Sequence, residues 1–222
     1  MKLFIYIRYF FFIAVNWNLR LAIFTLSHEI RGEKKYALNT VELNDLKKAT
    51  LQGELNTAEI YQPAGYYILE YLFSKIDEFV TEKNMVDFGC GKGRAMAVAA
   101  YYHFKTITGI EFAKELAMQA AINLSIVALK TPAVEFKVEW IDAKAYKILQ
   151  HQNVCYFFNP FKEAVMKNVI ENILLSKQEF DRSIYIIYVN PVYKDLFIEA
   201  GFREKYYHKK MEYVEGIILE LL

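Results

Sequence analysis

Met85-Val86-Asp87-Phe88-Gly89-Cys90-Gly91-Lys92-Gly93-Arg94-Ala95 is an apolar run with one carboxylate, followed by three glycines at alternate positions and then the Ala-rich segment Ala95 to Ala100. The order predicts a strand, a tight turn and a helix. Glycine permits positive φ and lets a ligand lie against bare backbone, so three in five residues predict a loop shaped around a bound molecule. The helix that starts there adds unpaired N–H groups on the same side.

Spacing separates the two nucleotide-type cofactors that use such a turn. The dinucleotide fingerprint needs a small residue where this chain has Arg94. The order Asp87-x-Gly89-x-Gly91-x-Gly93 instead resembles the first motif of the class I S-adenosylmethionine-dependent methyltransferases. That resemblance implies S-adenosyl-L-methionine as cofactor, with Gly89, Cys90, Gly91 and Gly93 near its methionine part and Asp87 helping to hold the amino-acid end.

Downstream, strand and helix alternate, which predicts a doubly wound α/β domain with a parallel sheet. The strands are Thr106 to Glu111, Val134 to Trp140, Asn153 to Phe158 and Ser183 to Val189, separated by helices Ala113 to Leu129 and Lys162 to Ser176. The fourth strand is apolar throughout and is expected at the centre. Helix Tyr193 to Ala200 then leads to strands Phe202 to Tyr207 and Met211 to Leu221 across a turn at Lys209-Lys210. Strands joined by so short a turn must be antiparallel. The resemblance covers residues 56–222 and implies a seven-stranded, mostly parallel sheet with its last strand antiparallel.

Further site residues follow from the same resemblance. Glu111, with Phe112 beside it, ends the second strand where the family binds ribose hydroxyls; an acid there also suits NAD. Asp142 and Ala143 match the pair that flanks the adenine. Asn159-Pro160-Phe161 is similar to the Asn/Asp-Pro-Pro-Tyr/Phe motif of methyltransferases acting on amines and amides, with one proline where that motif has two. By that likeness Asn159 orients the acceptor nitrogen, also beside the cofactor, and Phe161 walls the acceptor. Tyr61, in Tyr61-Gln62-Pro63 ahead of a helix from Ala64 to Phe79, lies where the family covers the cofactor or acceptor.

Upstream, residues 1–30 are read as one apolar helix and 31–55 as a polar connector. Residues 3–26 are interrupted by Arg8, Asn16, Asn18 and Arg20, too often for a clean membrane span. At about 100° per residue the polar positions other than Asn18 share one arc, as in an interfacial amphipathic helix. A membrane surface or anchor, and packing on the domain itself or on a partner chain, are both compatible with that pattern. No small-residue cleavage site follows. An apolar leader, a Tyr-x-Pro element and a glycine motif in that order are similar in layout to the membrane-anchored lysine methyltransferases of ATP-synthase subunit c.

The chain has 222 residues, enough for one domain with an appendage, and 55% of them are hydrophobic. A net charge of +1 provides no overall field for nucleic acid. Cys90 and Cys155 are far apart, as expected of reduced thiols in a cytoplasmic protein, and the four His have no metal-ligand spacing. The reading is therefore an N-methyltransferase with a protein or small-molecule amine as acceptor, no metal, and no nucleic-acid partner. Its rivals are a non-catalytic, membrane-associated cofactor-binding module and a nucleotide-dependent oxidoreductase.

Overall fold

The computed structural model describes residues 2–38, 40 and 63–222. Its centre is one seven-stranded sheet in the order β3-β2-β1-β4-β5-β7-β6. The strands are β1 (Lys83–Phe88), β2 (Phe104–Glu111), β3 (Glu135–Trp140), β4 (Val154–Phe157), β5 (Ile184–Val189), β6 (Arg203–Lys210) and β7 (Val214–Leu221). The first five are mutually parallel, and β7 runs antiparallel between β5 and β6. Every residue of β1, β4 and β5 is buried, as strands covered on both faces require. At the edges, β3 and β6 alternate charged side chains with half-buried ones, which discourages pairing with another chain.

Helices α3 (Tyr66–Lys75), α4 (Arg94–Ala99) and α5 (Lys114–Ala128) cover one face, and α6 (Glu163–Glu179) and α7 (Lys194–Glu199) the other. Each face has its own buried cluster, the first built on Leu72, Phe73, Met96 and Ile107 and the second on Phe88, Phe157, Met166 and Tyr188. The register Met85↔Val154 to Phe88↔Phe157 makes β1 and β4 end together, so the glycine loop and Asn159-Pro160 leave the sheet side by side.

The amino-terminal segment differs from the expected single helix. It is a hairpin of α1 (Lys2–Asn16) and α2 (Leu19–Tyr36), broken because the Asn18 side chain accepts the Leu21 N–H at 2.8 Å and starts a new helix. α2 then runs to Tyr36, through Arg31-Gly32-Glu33-Lys34-Lys35, which had been assigned to the connector. Gly32 is the contact point with α3: a Cβ there would meet the Tyr66 ring at 2.2 Å. The carboxy-terminal turn also moves. It lies at Met211-Glu212, both with positive φ, and not at Lys209-Lys210, which still pair with β7. Tyr61 and most of the connector lie outside the described residues.

Candidate active site

Gly89, Gly91 and Gly93 all have left-handed φ, at 77°, 55° and 78°. The N–H groups of Gly89 and Cys90 both donate to the Ile110 carbonyl, tying the loop to β2. At Gly89 the requirement is also steric, because an added Cβ would lie 2.3 Å from the Pro160 Cβ. The glycine loop and the Asn-Pro-Phe segment are therefore in van der Waals contact.

Two carboxylates sit beneath the loop. Glu111 Oε2 accepts the Gly91 N–H at 2.8 Å and Oε1 the Ala113 N–H at 2.9 Å, leaving further lone pairs on both oxygens. Burial raises its pKa to about 7 against the pull of those backbone donors. Asp87 is 2% exposed and its Oδ2 has no hydrogen-bond partner. Desolvation, with the nearby Glu111 charge second, holds its carboxyl well above the ordinary range. Beside Glu111, the Trp140 indole N–H donates to the Phe112 carbonyl at 3.0 Å, and the Ile141 N–H to the Glu111 carbonyl. Asp142 Oδ1 caps the short turn Ala143–Ala145 through the Lys144 N–H. Glu111, Phe112, Asp142 and Ala143 thus share one end of β2 and β3.

Asn159 and Asn190 end β4 and β5 as twins. Each precedes a proline and each has left-handed φ, 39° and 49°, which asparagine tolerates better than most side chains. The Tyr188 hydroxyl donates to Asn159 Oδ1 at 2.7 Å and fixes that amide. Phe161 is 9% exposed and packs in the second core with Val165 and Met166, so it supports the segment from below. Phe158 and Asn190 open instead onto a cleft of about 400 Å³ roofed by α1 and α2. Most of that cleft escaped the sequence reading, because its walls come from α1, α2, α3 and the β6–β7 turn. The exposed aromatics of α1 were its one local signal.

Arg94, a cation at a helix start, opposes the helix dipole unless acids neutralise it. Its guanidinium is 3% exposed and meets Glu29 at 2.9 Å and Glu33 at 3.4 Å, both from α2. It also donates to Thr40 Oγ1 and the Ala64 carbonyl and lies 4.3 Å from the Tyr66 ring centroid. Burial nevertheless raises the Glu29 pKa. Glu29 and Glu33, one turn apart on the face that also carries Ala22 and Tyr36, were the sequence signal for this clasp. Cys90 and Cys155 are buried free thiols. Among the described residues no three His, Cys, Asp or Glu are grouped to hold a metal.

No family model matches the chain, and no curated protein matches it. Solved structures do. A candidate RNA methyltransferase of Pyrococcus horikoshii is 20% identical with a TM-score of 0.52, over 86% of this chain and 94% of that one. A ribosomal protein methylase of Lactobacillus delbrueckii subsp. bulgaricus is 12% identical at 0.50, over 75% and 82%. A tRNA uracil methyltransferase of Pyrococcus abyssi, in complex with S-adenosyl-L-homocysteine, is 14% identical at 0.52, over 73% of this chain and 40% of that one. This chain therefore spans only two fifths of the Pyrococcus abyssi enzyme. Likeness of this degree establishes the fold: the chain has the class I methyltransferase fold.

Proposed function

We propose that the protein is an S-adenosylmethionine-dependent methyltransferase whose acceptor is an amine nitrogen on a protein side chain or small molecule. The observation that carries this reading is the unpartnered, buried Asp87 Oδ2 beneath a left-handed glycine loop that touches Pro160. Buried polar atoms are normally satisfied, so an orphan carboxylate oxygen fits a ligand cation such as the cofactor's α-ammonium. Glu111 has lone pairs left for two ribose hydroxyls, and Asp142 with Ala143 stands where the adenine would lie.

When bound, S-adenosylmethionine supplies an already activated sulfonium methyl. The chain's own task is then to align a nucleophile and exclude water. Asn159, held by Tyr188, offers an uncharged acceptor to an amine proton and so orients the nitrogen without fixing it as a cation. Tyr188 acts here as a positioning residue. A nucleic-acid acceptor is the second reading, favoured by the RNA enzymes among the structural neighbours; the balanced net charge weighs against it.

A membrane-surface partner is part of the proposal. Phe4, Ile7, Phe11 and Val15 form an exposed stripe at helical spacing on α1, and Leu19 and Ile23 of α2 are exposed as well. No acid precedes Glu29, whereas Lys2, Arg8 and Arg20 do, which suits an anionic lipid surface. No helix among the described residues is long and apolar enough to cross a membrane.

The test is transfer of labelled methyl from S-adenosylmethionine into fractionated lysate, followed by single turnovers with the acceptor found. Asn159→Ala should lower turnover by about 10²-fold while cofactor affinity stays within a few-fold. Cofactor binding with no transfer to any component would favour the non-catalytic module. Binding of NAD in its place would favour the oxidoreductase.

A further inference from the structure

Among the described residues, eight aromatic side chains line the cleft beneath the α1–α2 hairpin, including Phe12, Trp17, Phe24, Tyr67, Phe158 and Tyr213. Its walls are braced by ring contacts, Trp17 to Tyr213 at 6.5 Å between centroids and Phe24 to Tyr67 at 5.0 Å. The described lining contains the carboxylates of Glu29 and Glu215, the Asn190 amide and His28, and no Lys or Arg. Both acids are already matched, Glu29 by Arg94 at 2.9 Å and Glu215 by Lys209 at 3.7 Å. The cleft reaches Phe158, two residues before the proline that touches Gly89.

A volume of about 400 Å³ suits a small organic group or one long side chain. With both lining acids already paired, the attraction for a positive group comes from the aromatic faces, and a described lining without Lys or Arg offers a polyanion no counter-charge. We infer, resting on the methyltransferase reading, that this cleft receives the methyl acceptor and that the acceptor is an alkylammonium group on an apolar stem. A lysine side chain and a free alkylamine share that chemistry. Aromatic faces draw in the cation without the full counter-charge of a free carboxylate. Desolvation in the cleft then lowers the ammonium pKa, so that its proton is lost to solvent and the freed nitrogen lone pair can form the N–CH3 bond as the S–CH3 bond breaks and S-adenosylhomocysteine leaves.

The chain has two tryptophans, so in the full-length Trp140→Phe variant Trp17 is the only one, and it reports on the cleft directly. That protein would be titrated at pH 7 with n-hexylammonium, Nα-acetyl-lysine methylamide, hexanol, hexanoate and a short RNA oligonucleotide. The expected result is a saturable change in Trp17 emission with both ammonium probes, at least tenfold tighter than with hexanol, and none with hexanoate or RNA. Tyr213→Ala should weaken ammonium binding by tenfold or more while circular dichroism stays native. Preference for the lysine probe would assign the acceptor to a protein and preference for hexylammonium to a small molecule; either supports the inference. Hexanol binding as tightly as hexylammonium, or preferential binding of hexanoate or RNA, would overturn it. Calorimetry with S-adenosylhomocysteine on the unsubstituted protein reads the cofactor site separately, so loss of the methyltransferase reading and loss of the cleft assignment are distinguishable.

Discussion

A carboxyl with a bare oxygen in the interior destabilises the fold that contains it, since burial disfavours its charge and the oxygen has no donor, and Asp87 is such a group. Asp87→Asn should therefore raise the thermal midpoint of the cofactor-free protein at pH 8 and weaken S-adenosylmethionine by at least tenfold, the exchange of stability for function common at binding sites. Scanning fluorimetry and calorimetry on the same sample check both halves, and a lower midpoint with unchanged affinity would remove Asp87 from the site. Glu111 adds a pH dependence whose sign is fixed. Its folded pKa, about 7, exceeds its ordinary value of 4.5, so between those values the folded chain holds a proton that the unfolded chain has released. Stability is then greatest at the acidic end of that window and declines as pH rises through it, by on the order of 3 kcal/mol. Thermal midpoints of the cofactor-free protein from pH 5 to 8 should show this decline. Saturating S-adenosylhomocysteine should reduce it, because its ribose hydroxyls would donate to the Glu111 carboxylate and favour the charged form.

At the scale of elements, α2 is fastened to α4 by one guanidinium. Removing it leaves Glu29 and Glu33 with their main cation gone in a buried place, which typically costs about 3–5 kcal/mol. Arg94→Gln should thus lower the thermal midpoint by roughly 6–20 °C. Arg94→Lys should recover only part of this, since an ammonium cannot reproduce the planar fork that reaches Glu29, Thr40 and Ala64 together. Equal midpoints for the three proteins would show that α2 docks through its apolar contacts alone. The same clasp shows where sequence reading succeeds and where it stops. The strand, glycine loop and helix around Gly89 were legible because turn chemistry and periodicity are local, and the sheet followed from their repetition. Arg94 was legible only as a large residue where the dinucleotide fingerprint needs a small one; its partners lie 65 and 61 residues away and no local rule pairs them. The hairpin break at Asn18 was obscured by apolar residues on both sides of it. The late turn fell two residues beyond Lys209-Lys210 because the basic pair extends the edge strand.

For the whole molecule, the exposed stripe of α1 predicts adsorption to anionic lipid. The protein should co-sediment with phosphatidylglycerol vesicles at low salt and less with phosphatidylcholine, and Phe4→Ser with Phe11→Ser should reduce the bound fraction severalfold without changing cofactor affinity. Equal sedimentation of wild type and the double variant would remove the stripe from any such role. The placement of the hairpin also has a consequence during synthesis. Glu29 leaves the ribosome 65 residues ahead of Arg94, a lead of roughly 3–13 s at ordinary elongation rates. Trp17 precedes its contact Tyr213 by nearly the whole domain. The apolar hairpin thus emerges well before the residues it packs on, and it stays unseated until the last strands of the sheet are made.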